Sequence, residues 1–199
     1  MELDFAKDYI LIKNKIVTDL DKFVLDFVKF LERYTPYTIV SGYVAILFGR
    51  ARGTEDIDTL VARFDENVFA SLFKTLIENN YYFLNSGNVN ELYAMLEDGL
   101  AIRIARKNTV IPTIELKFVK DEFDRYSLEN KIKVAMNDKH IFISPIELQI
   151  PYKLYLGSDK DIEDAIYLWD IFKEKIDLSL LKKFMDKLNV DGEKYGIEI

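Results

Sequence analysis

The spacing of apolar residues changes along this chain, and the change limits the folds open to it. Up to about residue 140, segments with the 3.6-residue period of amphipathic helices alternate with short segments rich in β-branched and aromatic residues, which are typical of strands. Beyond that point only helical periods follow. The pattern predicts strands interleaved with helices over residues 1–140 and a helical part over residues 141–199.

Three helices are expected in the first part: one after Thr18, one short helix over YVAILFG that ends at Gly49, and one over ENVFASLFKTLIENN. The segments expected to form strands are YTIVSG, DIDTLVARF, YYFLN, LAIRIAR and TVIPTIELKFV.

The helical part has clear start and stop signals. Ser144, Pro145 and Glu147 have the order of an N-cap, a first helical residue and a capping-box acid. Pro151 is expected to kink or restart this helix, because proline has no amide hydrogen to donate. Gly157 is expected to end it, and two further helices are expected after Ser158 and after Asp177.

Composition excludes several classes of protein. The net charge of −7 over 199 residues argues against binding nucleic acid through a basic face. The absence of cysteine excludes disulfides, thiolate metal sites and cysteine nucleophiles. The N-terminal segment MELDFAKDYILIKNK contains no continuous apolar stretch, so we expect no signal peptide, no membrane partner and a cytoplasmic location.

Two aspartates stand at the start of an otherwise apolar strand. Asp56 and Asp58 are two residues apart, so on a strand their side chains project to the same side. Two carboxylates this close repel each other unless a cation or hydrogen-bond donors lie between them, and Mg²⁺ prefers carboxylate oxygens. A solvated strand end, with the carboxylates bonded to loop amides, is the alternative interpretation.

Residues upstream of the aspartates are suited to binding an anion. Ser41 and Gly42 lie where a strand is expected to meet a short helix, so backbone amides and a hydroxyl are free to bind phosphate. Arg50 and Arg52 precede the aspartates and would balance a polyphosphate. An ordinary solvated loop is the alternative for the arginines.

A third carboxylate interrupts a later strand. Glu115 lies between Ile114 and Leu116, so its side chain faces away from both. If this strand lies beside DIDTLV, Glu115 joins Asp56 and Asp58 on one face of the sheet. The alternative is a solvent-facing residue on a half-exposed strand.

The segment VSGYVAILFGRARGTEDIDTLV resembles the signature of the nucleotidyltransferase superfamily, which has the DNA polymerase β-like fold. Within it the chain looks most like prokaryotic proteins related to the AbiEii toxins. The likeness extends to TIELKFVKDEFDR and to SPIELQIPYKLYLGSDKDIEDAIYLW, and covers about residues 37 to 172. The resemblance implies an α+β (mixed α/β) fold: a small mixed sheet flanked by helices, with a C-terminal helical part packed on the core.

The resemblance also implies roles for the carboxylates. It assigns Asp56, Asp58 and Glu115 to catalysis as ligands of one or two Mg²⁺ ions. Ser41 and Gly42 would contact the phosphates. The third carboxylate is Glu where the family more often has Asp, and the turn is Ser-Gly where the family usually has Gly-Gly or Gly-Ser.

Two further motifs of the resemblance lie in the helical part. Lys153 would contact the nucleotide phosphates as a catalytic residue, and Asp161 and Asp164 would form the last acidic motif of the nucleotide site. Each also has a structural interpretation. Lys153 could extend from a buried helix to solvent, Asp161 could serve the Ser158 cap, and Asp164 could pair with Lys160.

The activity implied is transfer of a nucleoside monophosphate from an NTP to a hydroxyl, with Mg²⁺ as cofactor. RNA, a protein side chain and a small-molecule hydroxyl all remain open as the acceptor, and an antitoxin-like partner is implied by the toxin resemblance. The alternative is a catalytically inactive module of the same fold that binds a nucleotide or a partner.

Overall fold

A computed structural model describes residues 1–6 and 9–198. The strands found there are β1 (Glu2–Ala6), β2 (Tyr9–Lys13), β3 (Tyr37–Ile39), β4 (Asp56–Val61), β5 (Tyr81–Phe83), β6 (Ile102–Arg106), β7 (Thr113–Phe118), β8 (Ile132–Met136) and β9 (Lys139–Ile143). The helices are α1 (Asp19–Leu31), α2 (Gly42–Leu47), α3 (Glu66–Glu78), α4 (Val89–Glu97), α5 (Glu122–Glu129), α6 (Ile146–Leu156), α7 (Asp159–Phe172) and α8 (Leu178–Leu188), followed by a 3₁₀ turn at Glu193–Tyr195.

All of these strands belong to one mixed sheet in the order β1-β2-β8-β9-β3-β4-β7-β6-β5. At its centre β4 pairs antiparallel with β3 and parallel with β7. Helices pack against the sheet, and the chain ends in helices, so the expected α+β fold with a mixed sheet is confirmed. All of β3 and the second half of β4 are buried, whereas alternate positions of β4 and β7 near the site are only partly buried.

Helix α1 and the short helix α2 are held together by a buried acid. Thr18 caps α1 and forms a capping box with Asp21, whose side chain has no solvent exposure. The second carboxylate oxygen of Asp21 accepts a 2.8 Å hydrogen bond from the Tyr43 hydroxyl on α2. Lys15 lies 3.0 Å from the same carboxylate and balances its charge. This network fixes α2, and with it the turn that precedes α2.

The C-terminal helices differ in detail from the expectation. The Ser144 hydroxyl is 2.9 Å from that of Ser127, the cap position falls on Pro145, and Glu147 accepts from the Asp177 amide. The predicted capping box was therefore wrong. Helix α6 also runs through Pro151 without restarting.

The other boundary signals in this part are confirmed. Gly157 ends α6 in the left-handed conformation, Ser158 caps α7, and Asp177 caps α8. The helices begin after β9, and the expected division at residue 140 falls inside that strand. The division into a core of residues 1–140 and a helical part of residues 141–199 stays a prediction.

Six elements were not anticipated: β1, β2, α4, α5, β8 and β9. The four strands among them are only five residues long and mix charged with apolar residues, so their apolar pattern is too short to identify alone. Nowhere in residues 1–6 and 9–198 does a helix reach the length and apolarity needed to cross a membrane.

Candidate active site

Strands β4 and β7 bring the three predicted carboxylates to one face of the sheet. In their parallel pairing, Asp58 lies directly opposite Glu115, and Asp56 lies opposite Thr113. Asp56 and Asp58 are two residues apart on β4, so they share the face that Glu115 also occupies. The expectation that the Glu115 strand lies beside DIDTLV is therefore confirmed.

Two cations already contact these carboxylates. Lys117 donates a 2.8 Å hydrogen bond to Oδ1 of Asp58, and its Nζ lies 3.4 Å from Oε2 of Glu115. Arg103, opposite Glu115 on β6, donates from Nε at 2.8 Å and from its terminal nitrogen at 2.7 Å to Oε1 of Glu115. We call this set the carboxylate face; it consists of Asp56, Asp58, Glu115, Lys117 and Arg103.

Asp56 is the member of the carboxylate face with the least compensation. Within the part of the chain that the structure describes, its carboxylate has no ion pair and no hydrogen bond. Burial raises the pKa of Asp56, and the negative charges of Asp58 and Glu115 raise it further. Lys117 thus compensates the charge of Asp58, whereas no ion pair compensates the charge of Asp56.

The Ser41–Gly42 turn joins β3 to α2 beside these strands. The Val40 amide donates a 3.0 Å hydrogen bond to the Asp58 carbonyl, which ties the turn to β4. Ser41 has φ of 66° and ψ of −140°, a sparsely populated conformation for a residue with a side chain. A Cβ at Gly42 would overlap the Arg52 guanidinium, so a larger residue there requires the Arg52 side chain to move.

The remaining predicted residues meet around one buried acid. We call them the Asp164 cluster, which consists of Asp164, Asp161, Lys153, Arg50 and Arg52. Lys153 Nζ lies 2.6 Å from Asp164 and 3.1 Å from Asp161, and Arg52 lies 3.2 Å from Asp164. Arg50 pairs with Asp164 and also with Glu163. The cluster links the loop before β4 to α6 and α7.

Burial makes this cluster unusual. Asp164 has no solvent exposure and Lys153 is only 1% exposed. Burial lowers the pKa of Lys153, Asp161 opposes that effect, and the nearby Arg52 and Arg50 add to it. Lys153 therefore does not extend to solvent, and that structural alternative was wrong.

The two structural alternatives for the acids have different outcomes. Asp164 pairs with Lys153, Arg50 and Arg52 instead of Lys160. Asp161 does serve the cap, because its carboxylate accepts a 2.5 Å hydrogen bond from the Ser158 hydroxyl and its amide donates to that hydroxyl at 3.3 Å. The other oxygen of its carboxylate contacts Lys153.

A cavity of about 390 Å³ lies between the carboxylate face and the helices α5 and α6. Ser41, Asp58 and Lys153 line it, and Lys117 and Gln149 do so as well. The other predicted residues are not part of its wall; these are Gly42, Arg50, Arg52, Asp56, Glu115, Asp161 and Asp164. Part of the predicted site thus shares one cavity, which fits a small ligand.

Sequence reasoning missed Lys117, Arg103 and Gln149. Lys117 follows Glu115 by two residues, so the strand period alone places both on one face. Arg103 reaches Glu115 through the pairing of β6 with β7, which no local pattern reveals. Gln149 lies within an apolar helical segment, where a lone amide is the signal.

Comparison with known proteins identifies the fold. No protein-family model matches the sequence, and no curated protein matches it. Among solved structures, the chain is similar to an antigenic nucleotidyltransferase-like protein from Paracoccidioides brasiliensis, with a TM-score of 0.53 and 16% identity over 87% of this chain and 86% of that one.

The chain is also similar to the antibiotic-resistance factor ANT(2'')-Ia. Its solution structure matches with a TM-score of 0.51 and 11% identity, over 90% of this chain and 95% of that one. Its crystal structure in complex with adenylyl-2''-tobramycin also gives a TM-score of 0.51, with 15% identity over 84% of this chain and 96% of that one. The chain therefore has the fold of nucleotidyltransferase-like proteins.

Proposed function

We propose that this protein is a metal-dependent nucleotidyltransferase that moves a nucleoside monophosphate from an NTP to a hydroxyl acceptor. The observation that carries the proposal is the register of β4 and β7, which sets Asp58 opposite Glu115 beside the cavity that Ser41 and Lys153 line. The fold shared with ANT(2'')-Ia, solved in complex with adenylyl-2''-tobramycin, supports the proposal.

The residues present offer the donor atoms that a divalent metal needs, although in the described residues as they stand the three carboxylates do not converge on one point. Asp56, Asp58 and Glu115 offer the carboxylate oxygens that Mg²⁺ prefers, and Asp56 carries a charge that no described cation pairs with. Bound there, one or two Mg²⁺ ions would polarise the phosphoryl group and lower the pKa of the acceptor hydroxyl.

The chain's own residues supply binding and orientation. Ser41 and Gly42 would contact the phosphates, and Lys153 would offset charge on the departing pyrophosphate. Arg50 and Arg52 would contribute to this charge while holding Asp164. Glu115 would accept the proton of the attacking hydroxyl. The acceptor oxygen then bonds to the α-phosphorus, and the bond to the pyrophosphate breaks.

A transfer assay tests the proposal. The protein is incubated with Mg²⁺, each NTP labelled at the α-phosphate, and pools of cellular RNA or protein. We expect label to move to one pool, and Asp58→Asn to reduce the rate by about 10²–10³. Calorimetry with Mg²⁺ and each NTP is the parallel measurement. A protein that binds no NTP would contradict the proposal.

The acceptor and the partner follow from the AbiEii-like resemblance. We expect an RNA or a protein as the acceptor, and an antitoxin-like partner that neutralises the enzyme. Expression of the chain alone should then slow growth, and expression of Asp58→Asn should not. Normal growth with intact, abundant protein would argue for a narrow small-molecule acceptor.

One observation favours the alternative of an inactive module. In residues 1–6 and 9–198, no group of three or more His, Cys, Asp or Glu side chains is close enough to share a metal ion. Lys117 and Arg103 engage the oxygens of Asp58 and Glu115 instead. An inactive module would bind an NTP with the same affinity in chelator and in Mg²⁺, which the same calorimetry measures.

A further inference from the structure

We propose that Lys117 is an exchangeable counter-cation of this site: it neutralises Asp58 and Glu115 while they hold no metal, and moves to the phosphates of the bound nucleotide when a divalent cation takes those carboxylates. This inference rests on the proposed function. It assigns a role to a residue that neither the motif nor the fold identifies.

The position of Lys117 carries the first step. Its ammonium contacts one oxygen of Asp58 at 2.8 Å and one oxygen of Glu115 at 3.4 Å, so it lies between two proposed metal ligands. The charged ammonium therefore occupies the place where a cation is required.

The freedom of Lys117 to move carries the second step. Its side chain is 36% exposed and belongs to the wall of the cavity together with Ser41 and Lys153. Lysine has a flexible four-carbon stem and a point charge, so it can change partners without a fixed geometry. Lys153, at 1% exposure between two carboxylates, has no such freedom.

Charge balance carries the third step. The carboxylate face holds three acids and two cations, and Asp56 has no ion pair among the described residues. A divalent ion would relieve Asp56 but would repel the Lys117 ammonium at Asp58. The triphosphate in the adjoining cavity is the alternative partner for that ammonium. Metal and nucleotide are then coupled through one side chain.

The test uses two lysine variants of the whole protein. Lys117→Met removes the counter-cation, and Lys120→Met is the matched control. Lys120 lines the same cavity, and its side chain has no ion pair among the described residues. Calorimetric titration with Mn²⁺ alone should show roughly fivefold or more tighter binding to Lys117→Met, because the competing ion pair is gone, and no such gain for Lys120→Met.

The second arm measures tripolyphosphate in the presence of saturating Mg²⁺. Lys117→Met should bind it about tenfold more weakly than the wild type, whereas Lys120→Met should bind it within about twofold. Equal metal affinity in the wild type and Lys117→Met would overturn the exchange. Unchanged tripolyphosphate binding in Lys117→Met would overturn the movement to phosphate. A wild type that binds neither metal nor NTP would instead refute the proposed function.

Gln149 carries a second, independent inference. It is 4% exposed and lines the cavity, and no described residue accepts a hydrogen bond from its buried Nε2. A buried donor without a partner costs free energy, so its presence in a cavity wall indicates a ligand that pairs with it. Tyr152 and Phe123, with ring centroids 6.1 Å apart, also belong to this wall.

The geometry points to the part of the cavity lined by Gln149, Tyr152 and Phe123 as the place where the nucleobase binds. Gln149 would hydrogen-bond to the edge of the base, and the two aromatic side chains would cover the ring of the base. A carboxamide pairs well with a base edge that offers one donor and one acceptor. This inference also rests on the proposed function.

Gln149→Met tests it, since methionine keeps the volume and removes the amide. Binding of NTP should weaken about tenfold, binding of tripolyphosphate should stay unchanged, and the melting temperature without ligand should not fall. An unchanged preference for NTP over tripolyphosphate would overturn the inference. Failure of the wild type to bind either compound would refute the proposed function instead.

Discussion

The carboxylate face and the Asp164 cluster have opposite charge arrangements. In the first, three acids are compensated by two cations, and one acid, Asp56, has no ion pair among the described residues. In the second, three cations meet two acids, and all three contact the buried Asp164. Both contain residues that the nucleotidyltransferase resemblance assigns to the site.

Burial makes the two arrangements behave differently. Asp164 and Lys153 are almost fully removed from water, so each depends on the other for its charge to be tolerated. Lys117 and Arg103 are partly exposed, so water can replace them. We infer that the Asp164 cluster fixes the helical part against the loop before β4, while the carboxylate face is the part that can exchange ions.

Replacing the central acid should have the largest effect. Asp164→Asn keeps the shape but leaves Arg50, Arg52 and Lys153 without a buried counter-charge. We expect the free energy of unfolding to fall by about 3–5 kcal/mol. Urea unfolding followed by circular dichroism measures it.

Glu163→Gln is the matched control for that change. Glu163 pairs with the same Arg50, but its side chain is 67% exposed. A surface pair of this kind contributes about 1 kcal/mol or less. Equal effects of the two variants would show that burial does not distinguish Asp164, and the contrast between the two regions would be lost.

The carboxylates of the site can be predicted from the sequence, but the cations that contact them cannot. The D-x-D spacing places Asp56 and Asp58 on one face, because the strand period is a local property, whereas Glu115 joins them only through the pairing of β7 with β4. Their cations come from pairing between strands, as Arg103 shows, and pairing is decided by the whole sheet. For the same reason the sequence does not reveal the ion pairs within the Asp164 cluster, whose members come from a loop and two helices.

The fold, like the site, could be predicted only where a local pattern was long enough to recognise. Long amphipathic helices such as α1 and α3 have enough turns for their period to stand out. The five-residue strands β1, β2, β8 and β9 do not, and they form because neighbouring strands supply hydrogen bonds. The cap at the start of helix α6 was predicted wrongly, because Ser144 bonds to Ser127, which is distant in sequence.

Replacing a cation of the buried cluster should have a smaller effect than replacing its acid. Lys153→Met leaves Asp164 paired with Arg50 and Arg52, so its charge stays compensated. We expect a loss of about 1–3 kcal/mol in the free energy of unfolding, together with weaker NTP binding. Urea unfolding and calorimetry are run on the same preparation.

The two readouts separate structure from binding. A less stable Lys153→Met protein that binds NTP like the wild type would confine Lys153 to the structural cluster. Lys153 would then stabilise the Asp164 cluster without contacting the nucleotide.

The smallest effect should arise within the carboxylate face itself. Asp56 lacks a counter-ion among the described residues, whereas Asp58 has Lys117 at 2.8 Å. In chelator, Asp56→Asn should therefore raise the melting temperature by about 1–3 °C, while Asp58→Asn should leave it unchanged or lower it, because it breaks an ion pair. Thermal melts of both variants measure this difference.

The pH dependence of the same melts tests independently whether the charge of Asp56 destabilises the folded protein. The pKa of Asp56 is raised in the folded state, so the folded protein binds the proton more readily than the unfolded chain. Its ionised form opposes stability above the folded pKa, and this penalty disappears as the pH falls below the ordinary value of an aspartate. The advantage of Asp56→Asn over the wild type should therefore shrink as the pH falls through that window.

Saturating Mg²⁺ at neutral pH should remove the same advantage, since a bound ion stabilises only the protein that keeps the carboxylate. An advantage that stays constant with pH and with Mg²⁺ would mean that the charge of Asp56 is not its cause, and the carboxylate face would then hold no uncompensated acid.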